Sequence, residues 1–248
     1  MVRRHGRQRA AGLGALPGPG GRPDGVTGWL LERPVGTVAE RHVAEVEIAG
    51  RCVHVHEVDR PTLVVGSGQR RVPDPKVLAA AGVGLVRRRS GGGGVLLRPG
   101  EVLWVDVLLP RGDDLWEDDV GRSAWWLGEA WAGALTVRGV EASVHRGAMV
   151  ATEWSAAACF AGTGPGEVQV GGRKLVGISQ RRTRAGARFQ CAVPLSWAPA
   201  PLVELLGLEP RERALEDLTV AAVGLRELDA EPDAPEALLA ALLDALPA

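Results

Sequence analysis

Cysteine is scarce in this chain of 248 residues. Cys52, Cys159 and Cys191 form no CxxC or zinc-ligand spacing, and an odd, widely separated set argues against a disulfide framework, which points to a reducing, cytoplasmic setting. No apolar run approaches membrane-spanning length, and no apolar core follows Arg3-Arg4, so neither a transmembrane helix nor a secretory leader is expected. The phosphate-binding patterns GxxxxGK[ST] and GxGxxG are missing, as are internal repeats and a strict βαβ alternation, which weakens any doubly wound nucleotide-binding reading. The formal net charge is only -1, with no overall basic surplus to suggest a nucleic-acid partner.

What is present is an apolar content of 46%, enough for a substantial core in a soluble protein. Residues 1–25, rich in Arg, Gly, Ala and Pro, read as a disordered basic arm, and residues 26–248 as one domain with a short acidic helical segment at its C-terminal end. Alternation over Ala44–Ile48 and Cys52–Val58 predicts a hairpin about Ala49-Gly50, and Leu63–Val65 a further strand. Residues Pro73–Ala81 read as a short helix ended by Gly82, followed by a strand over Gly84–Val86. Val95–Leu97 and Val102–Leu109 flank Arg98-Pro99-Gly100-Glu101 as a second hairpin. Asp118 or Asp119 is placed to cap a helix through Ala134, with Trp125, Leu127, Trp131 and Leu135 on its apolar side. Strands are expected over Val140–Val144, Glu167–Val170, Lys174–Ser179 and Phe189–Leu195, with Gly171-Gly172 as a two-residue turn, and helices over Leu202–Leu206, Glu212–Leu218 and Pro235–Leu246. The fold class is therefore α+β, a mixed or antiparallel sheet flanked by helices.

Two segments carry candidate chemistry. In Val86-Arg87-Arg88-Arg89-Ser90-Gly91-Gly92-Gly93-Gly94-Val95, four glycines between apolar runs give a core nothing to pack, but they permit close backbone approach to a ligand, and the arginines suit an anionic one. A flexible hairpin loop is the competing reading. In Gly172-Arg173-Lys174-Leu175-Val176-Gly177-Ile178-Ser179, Lys174 stands on an apolar strand, where its ammonium requires an anion or an oxygen to polarise. The histidines offer less. His54 and His56 share a strand face without an evident third ligand, His42 and His145 are isolated, and no metal is expected. The acidic run from Asp113 to Asp119 reads as a solvated loop.

Arg88-Arg89-Ser90-Gly91-Gly92-Gly93 together with Gly172-Arg173-Lys174-Leu175-Val176-Gly177 resembles the paired motifs of the lipoate-protein ligase and octanoyltransferase family, and Pro61–Gln69 is similar to that family's strand-to-turn segment. The resemblance spans roughly residues 38–246. It implies the family's catalytic-domain fold, shared with biotin ligases, and attachment of a lipoyl or octanoyl group to a lysine of a lipoyl carrier domain, as found in 2-oxoacid dehydrogenase complexes and the glycine cleavage protein. Lys174 would contact the acyl carbonyl or an adenylate phosphate, Arg88 and Arg89 would make phosphate-side contacts, and Ser90, Gly91, Gly92, Gly93, Gly94, Gly177 and Ser179 would line the acyl site. Ala158-Cys159-Phe160 resembles the cysteine–phenylalanine pair of cysteine-dependent octanoyltransferases. Cys159 would then take octanoyl from acyl carrier protein as a thioester, Lys174 favouring the thiolate, with no cofactor. The alternative is a ligase that activates free lipoate with ATP and magnesium, leaving Cys159 structural. The chain departs from the family pattern at Leu96-Leu97-Arg98, where an aromatic–His–Asp step is usual, and at Gln190-Cys191-Ala192, where a Gln–His–Gly step is usual, so no histidine is expected near either motif. Those departures, with the basic clusters at Arg87–Arg98 and Arg173–Arg188, motivate a third reading, a non-catalytic protein that binds carrier domains or nucleic acid.

Overall fold

The computed structural model describes residues 28–70, 72–228 and 234–248. The arm read over residues 1–25 lies outside them. In chain order the elements are β1 (Leu30–Glu32), α1 (Val38–Val43), β2 (Cys52–His56), β3 (Thr62–Val65), α2 (Pro75–Ala80), β4 (Gly84–Arg87), β5 (Val95–Leu97) and β6 (Val102–Pro110). Then follow α3 (Trp125–Val137), β7 (Ser143–Val144), β8 (Val168–Val170), β9 (Arg173–Arg182), β10 (Gly186–Pro194), α4 (Ala200–Leu206), α5 (Arg211–Ala221) and α6 (Ala234–Ala245). Single 3-10 turns occur at Cys159–Ala161 and Leu225–Glu227.

The architecture follows from strands that carry two kinds of face. Successive side chains of a strand point to opposite sides, and β10 alternates Ala187, Phe189, Cys191 and Val193 with Arg188, Gln190 and Ala192. The first set joins Leu103, Val105, Val107 and Leu109 of β6 in the main core, which α3 closes with Leu127, Trp131 and Leu135 and α6 with Leu238, Leu239 and Leu242. The opposite face of the same sheet presents Trp104, Asp106, Ser179, Gln190 and Ala192 in adjoining register positions. Seven strands form this sheet in the order β1-β2-β6-β10-β9-β8-β7. Only the β1–β2 pairing is parallel.

A second sheet, β4-β3-β5, lies over the polar face. Its central strand alternates too. Val64 packs with Val38, Leu97 and Trp104 between the sheets, whereas Leu63 and Val65 turn outward to a separate core with Trp154 and the leucines of α4. A cleft lies between the two sheets.

Most predicted elements are present, but two pairings differ. Residues 44–48 form no strand; β2 is sandwiched between β1 and β6 instead. The preceding stretch is taken up by α1, which Thr37 and Glu40 start with a capping box. The Arg98–Glu101 turn exists, yet β5 and β6 do not form a hairpin: β5 pairs with β3 and β6 with β2 and β10. Splitting the strands places Leu97 and Trp104 in one intersheet cluster. Helix α3 begins at Trp125, later than expected, because Asp119 closes a turn of its own by accepting from the Gly121 N–H at 2.7 Å. The Gly171-Gly172 turn is as expected, with φ of 56° and 78° as a two-residue hairpin of this hand requires.

Candidate active site

The glycine run is a structural seam. Its last member, Gly94, donates its N–H to the Ala157 carbonyl at 2.6 Å and accepts from the Cys159 N–H at 3.0 Å. A Cβ on Gly93 would lie 2.7–2.8 Å from backbone atoms of Ala158 and Cys159, so only glycine lets the two segments meet. Gly92 has φ of 98°, and a Cβ there would stand 3.6 Å from the Cys159 sulfur. The loop thus sets both the backbone and the thiol of Cys159.

The arginines hold this loop. Arg88, 4% exposed, donates to the carbonyls of Gly91 at 2.7 Å and Gly93 at 2.9 Å. Arg87 donates to the Gly66 and Gln69 carbonyls at 2.8 and 2.9 Å. Arg89 lies outside the cleft and pairs with Glu45. Arg88 and Arg89, the residues expected on the phosphate side, thus have partners within the chain, since buried carbonyls of a tight glycine loop need donors as much as an anion does.

Lys174 is likewise matched internally. Its ammonium, 1% exposed, lies 2.7 Å from Glu167 Oε2 and donates to the Cys159 carbonyl at 2.9 Å and the Gly162 carbonyl at 3.2 Å. Three donors meet three acceptors, and the Phe160 ring covers the charge at 4.9 Å. Glu167 accepts two backbone N–H bonds besides, from Gly164 at 2.6 Å and Ile178 at 3.0 Å. The anion that the lone strand lysine requires is thus a residue the sequence reading did not single out. The ammonium reaches the main chain of Cys159 and leaves the cleft wall to Cys159, Phe160 and Gly177.

Between the sheets lies a narrow cleft, partly open to solvent, its apolar wall made by Val64, Val95, Leu97, Trp104 and Phe160. Cys159, Arg88, Gly177 and Ser179 also line it, so the structure gathers the cysteine, the loop arginine and part of the lysine motif. Ser90, 2% exposed, donates to Gln190 Oε1 at 2.8 Å and lies 3.0 Å from the Ser179 hydroxyl. Gln190 in turn meets His42 Nδ1 at 3.1 Å.

His42 is therefore not isolated. It sits in the cleft wall and stacks on Trp104 with ring centroids 4.4 Å apart. Burial, opposed in part by Asp106, pushes its pKa down to about 3, so the ring is neutral. Behind Trp104, Asp106 accepts from Arg188 at 2.5 Å and meets His56 at 2.9 Å. Burial alone would raise the Asp106 carboxyl, but Arg188 and His56 outweigh it and hold the group well below the usual carboxylate range. A sequence signal for His42 existed in the Thr37–Glu40 capping box, which marks a helix; nothing in the sequence said where that helix docks.

The three thiols differ. Cys52 and Cys191 are buried, which pushes Cys52 up to about 12 and Cys191 further, whereas Cys159 is half-buried at the cleft. His54 pairs with Glu32 at 3.0 Å, and Cys52 completes a set of donor atoms within 4.8 Å of one another, while His56 belongs to Asp106. The His54–His56 pair considered from the sequence is thus divided between two groups.

A model of the lipoyl protein ligase A/B catalytic domain matches residues 38–243. The chain is 31% identical over 195 residues to the octanoyltransferase LipM of Kyrpidia tusciae, covering 75% of this chain and 70% of that protein. Among solved structures it resembles the bipartite lipoate protein ligase of Thermoplasma acidophilum, with a TM-score of 0.65 at 14% identity over 88% of this chain and 83% of that one. A lipoate-protein ligase A bound with ATP gives 0.62 at 16% identity, over 89% and 86%. These structural likenesses establish the fold.

Proposed function

Because the chain belongs to the lipoyl protein ligase A/B catalytic domain family, we propose that it moves an octanoyl group from a thioester donor to a lysine of a lipoyl carrier domain through a covalent intermediate on Cys159. The observation that carries this reading is the position of Cys159: the one half-buried thiol among three, seated against the glycine seam at the mouth of an apolar cleft. The Cys159 thiolate attacks the carbonyl carbon of octanoyl-acyl carrier protein. The donor's carbon–sulfur bond breaks, its thiol leaves with a proton, and the octanoyl group stays on Cys159 as a thioester. The neutral ε-amine of the acceptor lysine then attacks that thioester, forming an amide and returning the cysteine thiol. Lys174 fixes the main chain beneath the reacting sulfur, and Gly92, Gly93 and Gly94 let the loop lie directly against it. The acceptors by chemistry are lipoyl domains of 2-oxoacid dehydrogenase complexes or the glycine cleavage protein.

An ATP-dependent ligase would need cations for a triphosphate. The arginine cluster is committed elsewhere, Arg87 and Arg88 to carbonyls and Arg89 to Glu45, which favours the cofactor-free route. Incubation with octanoyl-acyl carrier protein without ATP should give an octanoyl adduct by intact mass, absent in Cys159→Ser. An undiminished adduct in that variant, or mass gain on the lipoyl domain only when lipoate and ATP are supplied, would overturn the proposal.

A further inference from the structure

Cys52, His54 and Glu32 meet at the β1 edge of the large sheet, and none of them lines the cleft that holds Cys159. Strand register brings them together. Cys52 and His54 stand two positions apart on β2 and so project from one face. Strand β1 runs parallel to β2 with Glu32 beside His54. The main core takes Val53 and Val55, so the cysteine and histidine face the other way, where with Glu32 they border a hollow shared with Pro34, Ala44 and Val46. His54 Nε2 lies 3.0 Å from Glu32 Oε2, and one donor atom from each of the three side chains falls within 4.8 Å of the other two. Cys52 and His54 are buried, Cys52 is in no disulfide, and the Glu32 side chain is 48% exposed.

Sulfur, imidazole nitrogen and carboxylate oxygen are the donor types that Zn²⁺ takes, at roughly 2.3, 2.0 and 2.1 Å. Magnesium and calcium prefer oxygen ligands and would leave the thiol and the imidazole unused. Tetrahedral bonds of those lengths set neighbouring donors roughly 3.4–3.6 Å apart. The His54–Glu32 contact therefore has to open slightly and the sulfur to draw in, a movement for which the half-exposed Glu32 side chain has room. Charge balances as well: a thiolate and a carboxylate offset the two positive charges of the ion, with the imidazole neutral. Arg51 and Arg188, which border the same hollow, are held by Asp113 and Asp106 and do not compete for Glu32. From the sequence, His54 seemed to lack ligands because its neighbour was taken to be His56; Asp106 engages His56, and the companions of His54 are Cys52 and Glu32.

We propose that Glu32, Cys52 and His54 form a zinc site, with water from the hollow as the fourth ligand, that clamps the three-residue edge strand β1 to β2. On binding, the Cys52 thiol gives its proton to solvent, and His54 coordinates through Nε2 with its own proton on Nδ1. The site stands apart from acyl transfer, and the proposal does not rest on that reading.

Metal-free, untagged protein dialysed against Zn²⁺ should retain one ion per chain with micromolar or tighter affinity. Co²⁺ in its place should give a thiolate-to-cobalt charge-transfer band in the near ultraviolet, together with the visible bands of a tetrahedral ion. Cys52→Ser should lose the charge-transfer band and weaken zinc binding by at least about tenfold, since changes outside the ligand shell already cost that much. Glu32→Gln, which leaves both buried ligands in place, should keep the band and weaken zinc by about tenfold. Cys159→Ser should match the wild type in both readouts, which separates this site from metal held by the cleft thiol. Zinc should also raise the melting temperature of the wild type and leave that of Cys52→Ser nearly unchanged. No retained zinc, or a band kept in Cys52→Ser and lost in Cys159→Ser, would overturn the proposal. Octanoyl adduct formation on metal-free protein reports on the thioester route separately, so the two readings fail independently.

Discussion

At the scale of single residues, Lys174 and Glu167 show why a buried ion pair must be tested jointly. Breaking such a pair leaves a charge without a partner and typically costs about 3–5 kcal/mol, whereas replacing both members by apolar groups is far milder. Lys174→Met or Glu167→Gln alone should therefore lower the urea midpoint strongly, and the double variant Lys174→Met with Glu167→Leu should recover much of the loss. If the recovered protein still fails to form the Cys159 adduct, the lysine acts in the reaction as well as in the fold. His42 makes a second residue-scale prediction. Its folded pKa of about 3 is below the unfolded value of about 6.5, so the unfolded chain binds a proton that the folded one refuses. Stability is full above about pH 6.5 and declines as pH falls toward about 3. Asp106 adds a later loss, below the unfolded carboxylate value of about 3.9, because its folded pKa is depressed. Melting temperature followed against pH should lose part of its decline between pH 6.5 and 4 in His42→Phe and keep the steeper fall below pH 4.

At the scale of elements, the four glycines are unequal. Gly93→Ala forces a methyl group to 2.7–2.8 Å from the Ala158 and Cys159 backbone, while Gly91→Ala meets nothing within 4 Å. The first should abolish octanoyl adduct formation by displacing Cys159, and the second should change it by less than about twofold, since an alanine in open space adds no contact. From the sequence the run was readable as a close-approach loop, since glycine in that density has few other uses. What it approaches is the Ala157–Cys159 segment of the same chain. Similarly, Gly171-Gly172 announced its turn because both positions need positive φ, and Leu238, Leu239 and Leu242 announced α6 by their spacing. The two expected hairpins failed for a common reason. Nearness in sequence suggested local pairing, but β2 and β5 each join strands brought from elsewhere.

At the scale of the whole molecule, one sheet serves a core on one side and a cleft on the other, and this division was partly legible. The alternation of β10 separates Phe189, Cys191 and Val193 from Arg188 and Gln190 without any knowledge of the fold. The partners of the polar set were hidden, because Ser90 reaches Gln190 across 100 positions and Gln190 reaches His42 across 148. Patterns in a sequence report which face a residue takes, whereas the element that docks there is a tertiary outcome. The pairing of Gly94 with the Ala157–Cys159 segment carries a consequence for how the molecule fails. The stretch that seats the thiol is stitched to the loop joining β4 and β5 of the small sheet, and that sheet supplies Val64, Val95 and Leu97 to the cavity. Lifting the sheet away dismantles the setting of the Cys159 thiol and its cavity in one event, so by the proposed mechanism a half-open molecule is an inert one, without a formed pocket in which to load the wrong acyl group.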